Sequence, residues 1–269
     1  MEQRGFKSKR ISEKTHLKMV KTKEAFKDKK FLESPEGRSI RILAEYEKVK
    51  SVFEIHKILD TITFFGSARI KATEDSKNLT DEKTQYYERA RELAFKFTTW
   101  AKEYSNNQNR FVIATGGGPG IMEAANRGAL EAGGKSIGLG IKLPEEQENN
   151  KYITPGLSLQ FYYFFMRKFF LVQPAKATII FPGGFGSLDE LTEILTLKQT
   201  GKIQKPMPIV LFGKKFWNTT INFNYLFEQK MISKDDLNLF LITDDVDQAF
   251  EFVSCILKDQ CVDNPQAII

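Results

Sequence analysis

"ATIIFPGGFGSLDELTEILTLKQTG", Ala177 to Gly201, runs from an apolar stretch through a glycine-rich corner into a helix. The apolar run is short and continuous, which suits a strand buried on both faces. A plain turn needs one glycine. Gly183, Gly184 and Gly186 together leave a backbone that something else can approach closely. The same strand–corner–helix unit precedes it as "RFVIATGGGPGIMEAANRGALEAGG", Arg110 to Gly134, closed by Gly133-Gly134. Further out lie the apolar runs "TITFF" (61–65), "KSIGLGI" (135–141), "MPIVLF" (207–212) and "LFLIT" (239–243). Helical patterns cover 86–104, "FYYFFMRKFFLV" (161–172), the surroundings of Trp217 and 244–257. Strands of this kind alternating with helices predict an α/β fold: a doubly wound, Rossmann-like parallel sheet with helices on both faces.

Upstream, Arg38 to Leu59 repeats apolar residues at helical spacing, as in Leu43, Tyr46, Val49 and Phe53. The predicted division is therefore a basic tail and helical extension over 1–59, and a Rossmann-like nucleotide-binding catalytic domain over 60–269. The formal charge of the whole chain is +6. Residues 1–30 hold eleven Lys/Arg against four Asp/Glu, so this segment carries +7 and the rest is close to −1. Such a tail either frays in solvent or touches acidic partners. The globular part has no excess of charge for nucleic acid. No apolar stretch approaches the ~18 residues of a membrane span, and no apolar core follows the basic N-terminus as in a secretory signal. Cys255 and Cys261 are the only cysteines, which fits a reducing, cytoplasmic setting.

In a doubly wound sheet, ligands bind beyond the carboxyl ends of the strands. Three corners there carry small residues: Gly66-Ser67, Thr115 to Gly120, and Pro182 to Ser187. They are expected to converge on one crevice. A bare backbone at a helix start suits a phosphate, although a tight turn that binds nothing has the same composition. Gly116 to Gly120 does not satisfy G-x-G-x-x-G, which favours a mononucleotide over a dinucleotide. Ser187-x-x-Glu190 reads as a capping box, so Glu190 serves either the helix end or a site. Glu123 has the same two readings. Arg167 and Lys168 sit in an apolar helix and reach water, a carboxylate or a phosphate. The two histidines, His16 and His56, both precede the first strand, and no G-x-x-x-x-G-K-[ST] occurs. That argues against a Ser-His-Asp hydrolase, a His-ligated metal at the loops and a P-loop NTPase.

Pro182-Gly183-Gly184-Phe185-Gly186-Ser187-Leu188-Asp189-Glu190 resembles the P-G-G-x-G-[TS]-x-x-E signature of the LOG ("Lonely Guy") phosphoribohydrolases, often labelled "possible lysine decarboxylase". Arg167-Lys168, "GGGPGIMEAA" and "FFGSAR" resemble that family's companion motifs, and the likeness spans roughly Thr61 to Ile242. Phe164 stands where the family's Met-x-x-Arg-Lys has its methionine. The resemblance implies hydrolysis of the N-glycosidic bond of a nucleoside 5′-monophosphate, AMP or a cytokinin nucleotide, without metal or redox cofactor. It implies Glu190, Arg167 and Lys168 as catalytic residues. Gly183, Gly184, Gly186 and Ser187 would hold the phosphate. Gly117, Gly118, Gly120, Met122 and Glu123, with Ser67 and Arg69, would complete the substrate site. It also implies a homodimer. Lysine decarboxylation ordinarily needs pyridoxal phosphate on a lysine, and no motif here supports it. A non-enzymatic nucleotide or molybdopterin-type carrier of the same fold is the alternative.

Overall fold

The computed structural model describes residues 22–72, 82–143 and 148–260. Seven parallel strands form one sheet in the order β4-β3-β2-β1-β5-β6-β7. They are β1 (Thr61–Phe65), β2 (Val112–Thr115), β3 (Ser136–Ile141), β4 (Ser158–Phe161), β5 (Ala175–Ile180), β6 (Ile209–Phe212) and β7 (Phe240–Thr243). The helices are α1 (Lys29–Glu33), α2 (Arg38–Ile55), α3 (Glu82–Tyr104), α4 (Ile121–Glu131), α5 (Phe164–Val172), α6 (Phe185–Gln199), α7 (Lys214–Thr220), α8 (Phe223–Glu228) and α9 (Val246–Gln260). The strand order reverses between β1 and β5, so the switch point of this doubly wound sheet lies at their carboxyl ends.

Alternation of side chains along each strand divides the core in two. Ile62, Phe64, Ile179, Val210 and Phe212 join the layer with α3, α4 and α9. Phe65, Ile180, Ile209 and Leu211 join the layer with α2, α5, α6 and Trp217 of α7. Within α2, Val49, Val52 and Phe53 are buried, whereas Leu43 is 58% exposed, so the inward stripe begins a turn later than the sequence pattern implies.

The amino ends of β1 and β2 are tied by a buried ion pair. Arg110 donates through Nε and Nη2 to Asp60 at 3.0 and 2.9 Å, and the amide of Phe111 donates to the other carboxylate oxygen. Asp60 is 2% exposed.

One strand escaped the sequence. β4 is a four-residue edge strand whose burial alternates, and its last residue, Phe161, begins the aromatic run that reads as helix. The helix itself starts only at Phe164.

By contacts, the chain divides after Arg41. In the first unit, Asp28 caps α1 by accepting from the amides of Lys30 and Phe31, and Arg41 donates to the carbonyls of Leu32 and Ser34. Residues 42–55 of α2 group with the sheet. The basic tail lies mostly outside the described residues, as do His16 and Cys261. Among the described residues no helix is long and apolar enough to cross a membrane.

Candidate active site

The corners after β1, β2 and β5 meet. Ser67 donates its amide to Pro182 O at 3.0 Å, and Ile121 donates its amide to Ser67 O at 3.1 Å. Gly120 makes the second junction possible. It has φ +72°, and a Cβ there would stand 2.3 Å from Ser67 O. A side chain at Gly183 would collide with Ser187 Oγ, 2.0 Å away. These glycines are needed for the corners to close on each other.

Gly184 and Gly186 differ. A Cβ at either would meet no atom within 4 Å, so packing does not demand glycine there. Gly184 is the N-cap of α6 and no side chain caps that end. The first intrahelical bond runs from Leu188 N to Gly184 O. The amides of Phe185, Gly186 and Ser187 therefore precede the hydrogen-bonded ladder, where a helix offers donors and positive potential to an anion. The predicted capping box does not form: Ser187 is the third residue inside α6, and its carboxylate partner sits a turn further on. The helix starts early because Gly184, with φ −90° and ψ −154°, brings the chain straight from the β5 corner into α6.

These elements enclose a cavity of about 600 Å³, lined among others by Ser67, Arg69, Met122, Arg167, Ser187 and Glu190. Glu190 is 5% exposed and its Oε2 is buried without a hydrogen-bond partner among the described residues. Burial pushes its pKa up to about 7, against the attraction of Arg167 and Lys168. Arg167 donates through Nε to Leu139 O at 3.0 Å. Its Nη2 lies against Gly116, where a Cβ would be 2.6 Å away. Gly116 thus admits the guanidinium, a role the sequence did not assign. Burial lowers the pKa of Arg167 while Glu190 opposes the shift, and the group stays charged. No direct ion pair joins Arg167 to Glu190 among the described residues, so both keep capacity for a ligand. Phe164 and Phe185, 55% and 92% exposed, complete the wall.

Other expected residues are placed elsewhere. Lys168 forms ion pairs with Asp189 at 2.9 Å and Glu193 at 2.6 Å. Burial lowers its pKa, but these acids outweigh it and the net shift is upward. It does not line this cavity. Glu123 accepts from Tyr87 Oη at 3.0 Å, and burial together with Glu123 raises the tyrosine's pKa. Gly117 and Gly118 are bound within the protein. The amide of Gly117 donates to Thr115 Oγ1, and both carbonyls accept from Asn150 Nδ2. Asn150 also reaches Asn126 Oδ1, which accepts from Thr115 Oγ1. No motif marked Asn126 or Asn150 in the sequence, because each acts only through the fold. Arg69 is exposed at the cavity mouth. Among the described residues no group of three His, Cys, Asp or Glu side chains is placed to hold a metal.

Residues 122–253, with α5, α6 and their Arg-Lys and Glu190 motifs, match the family model described as "possible lysine decarboxylase". That description is the one given to the LOG family, and the match covers just under half of the chain. Solved structures resemble the fold. The molybdenum cofactor carrier protein of Chlamydomonas reinhardtii is 20% identical, with TM-score 0.51 over 74% of this chain and 98% of its own. The molybdenum cofactor binding protein of Rippkaea orientalis is 19% identical, with TM-score 0.45 over the same shares. At such identity the first of these likenesses establishes the Rossmann-type fold alone. No curated protein matches the sequence significantly.

Proposed function

We propose that this protein hydrolyses the N-glycosidic bond of a nucleoside 5′-monophosphate, AMP or a cytokinin riboside 5′-monophosphate, releasing the base and ribose 5-phosphate. The observation that carries this reading is a buried carboxylate oxygen of Glu190, without a partner among the described residues, in the cavity walled by the start of α6. The 5′-phosphate binds the amides of Phe185, Gly186 and Ser187 with the Ser187 hydroxyl, and Arg69 meets it from the mouth. That anchor sets the sugar beside Glu190.

As the bond from C1′ to the base nitrogen breaks, the ionised carboxylate of Glu190 stabilises the oxocarbenium-like ribose. It then takes a proton from the attacking water as the new C1′–O bond forms. The departing base carries the electron pair, which the Arg167 guanidinium stabilises. Protonation of the base restores the carboxylate. Lys168 acts indirectly here: it holds Asp189 and Glu193, the acids flanking Glu190 on α6, and offsets their charge. Glu123 supports the α3–α4 packing and is assigned no contact with substrate.

The protein acts, in this reading, as a cytoplasmic homodimer. Incubation with AMP is expected to yield adenine and ribose 5-phosphate in equal amounts. Binding without turnover across purine and pyrimidine monophosphates would overturn the proposal and favour a carrier of the same fold.

A further inference from the structure

Behind the α5–α6 seam lies a second cavity, of about 730 Å³, that the proposed reaction does not use. Its size falls within the range of small-molecule sites. Tyr46 of α2, Phe165, Phe169 and Val172 of α5, Leu197 of α6 and Ile203 give it an apolar wall. Tyr46 packs on Phe169 and Phe170 with ring centroids 6.1 and 5.6 Å away, which fixes one side.

The charged groups on the wall are unequal. Lys168, Lys202 and Lys205 face it against a single acid, Glu193. Glu193 is already held by Lys168 at 2.6 Å. Lys205 turns its ammonium to the carbonyls of Val172 and Gln173 at the end of α5. Those carbonyls are neutral partners, so they satisfy its hydrogens without balancing its charge. Burial and the nearby Lys176 and Lys198 push its pKa down to about 8, with only Asp60 acting in the opposite direction. Lys202 is exposed at the rim and adds a further positive charge. A negative group placed between Lys202 and Lys205 relieves this imbalance, and the aromatic wall accepts whatever apolar body carries it.

We propose that this cavity binds a small amphiphilic monoanion, a carboxylate or sulfonate on a flat apolar body, with its head at Lys202 and Lys205 and its body against Phe165, Phe169 and Leu197. The complementarity is of charge and of polarity at once, and it is separate from the nucleotide reading, since no residue of this wall is shared with the Glu190 cavity.

Anilinonaphthalene sulfonate, a flat fluorescent sulfonate, is the probe. A fluorescence titration of the full-length protein is expected to show one saturable site that excess AMP does not displace. Lys202→Glu weakens it by about tenfold or more, the scale of one lost charged contact. The uncharged N-phenylnaphthylamine binds at least that much more weakly than the sulfonate. Lys205→Met gives the same loss; should its lost contacts at the end of α5 unfold the protein, Lys202→Glu alone decides. Non-saturating binding, displacement by AMP, equal affinity for the uncharged analogue, or an unchanged Lys202→Glu variant overturns the proposal. So does light scattering in which association of two copies blocks the probe, because the groove then belongs to a second copy of the chain.

Discussion

Glu190 pairs two properties that a purely structural side chain avoids: it is almost fully buried, and one of its carboxylate oxygens has no hydrogen-bond partner among the described residues. Its pKa of about 7 lies above the ordinary 4.5. Between those values the folded protein keeps a proton that the unfolded chain has lost. The group's contribution to stability therefore declines as pH rises from about 4.5 to about 7, and the cost persists above that. Glu190→Gln is expected to raise stability at about pH 8 by on the order of 2–3 kcal/mol, with the gain vanishing near pH 4. Thermal unfolding at the two pH values checks this. The same variant loses turnover by roughly 10²–10⁴-fold, the usual worth of a general base. In the parent protein kcat/KM should climb with pH through an apparent pKa near 7; a profile that falls there would assign the acid form instead. The motif placed Glu190 correctly in the chain, yet Ser187-x-x-Glu190 fitted a helix cap equally well. What decides between the readings is that α6 begins at Phe185, two residues before Ser187, with Gly184 as its N-cap. Arg167 and Lys168 look like a pair in sequence. Adjacent helical positions point about 100° apart, and the two cations enter different cavities.

At the scale of the corners, glycines of like appearance do opposite things. Gly120 is held at positive φ against Ser67 O, so Gly120→Ala should cost more than about 1 kcal/mol and lower the melting temperature. Gly186 lies in the first turn of α6 with open space beside it. Gly186→Ala should therefore leave stability unchanged or raise it by up to about 1 kcal/mol, while raising KM for the nucleotide by crowding the anion-binding amides. Calorimetry and steady-state kinetics on the two variants test the distinction. Sequence composition treats these residues alike, because neither the φ angle nor the neighbour across the crevice is a local property. Strands buried on both faces were legible for the opposite reason: "ATII" and "IVLF" carry their environment in their own residues. β4 was hidden because a short edge strand, half exposed, has no such run.

Across the whole molecule, the amino and carboxyl edges of the sheet divide the work. The Asp60–Arg110 pair locks the amino ends of β1 and β2, far along the strands from the corners that form the cavity. Asp60→Ala removes the buried carboxylate that accepts from Arg110 and from the Phe111 amide, and is expected to destabilise the fold by about 3 kcal/mol. Turnover measured below the lowered melting temperature should stay near the parental rate, since neither Asp60 nor Arg110 lines the cavity. The switch point was predictable from the alternation of strands and helices, and the cavity sits there. The measurement that bears most directly on the account is a crystal structure of the Glu190→Gln variant with AMP. The account predicts the phosphate on the amides of Phe185, Gly186 and Ser187, and C1′ facing residue 190. AMP bound outside this cavity, or lying in it with the sugar turned away from residue 190, would contradict it.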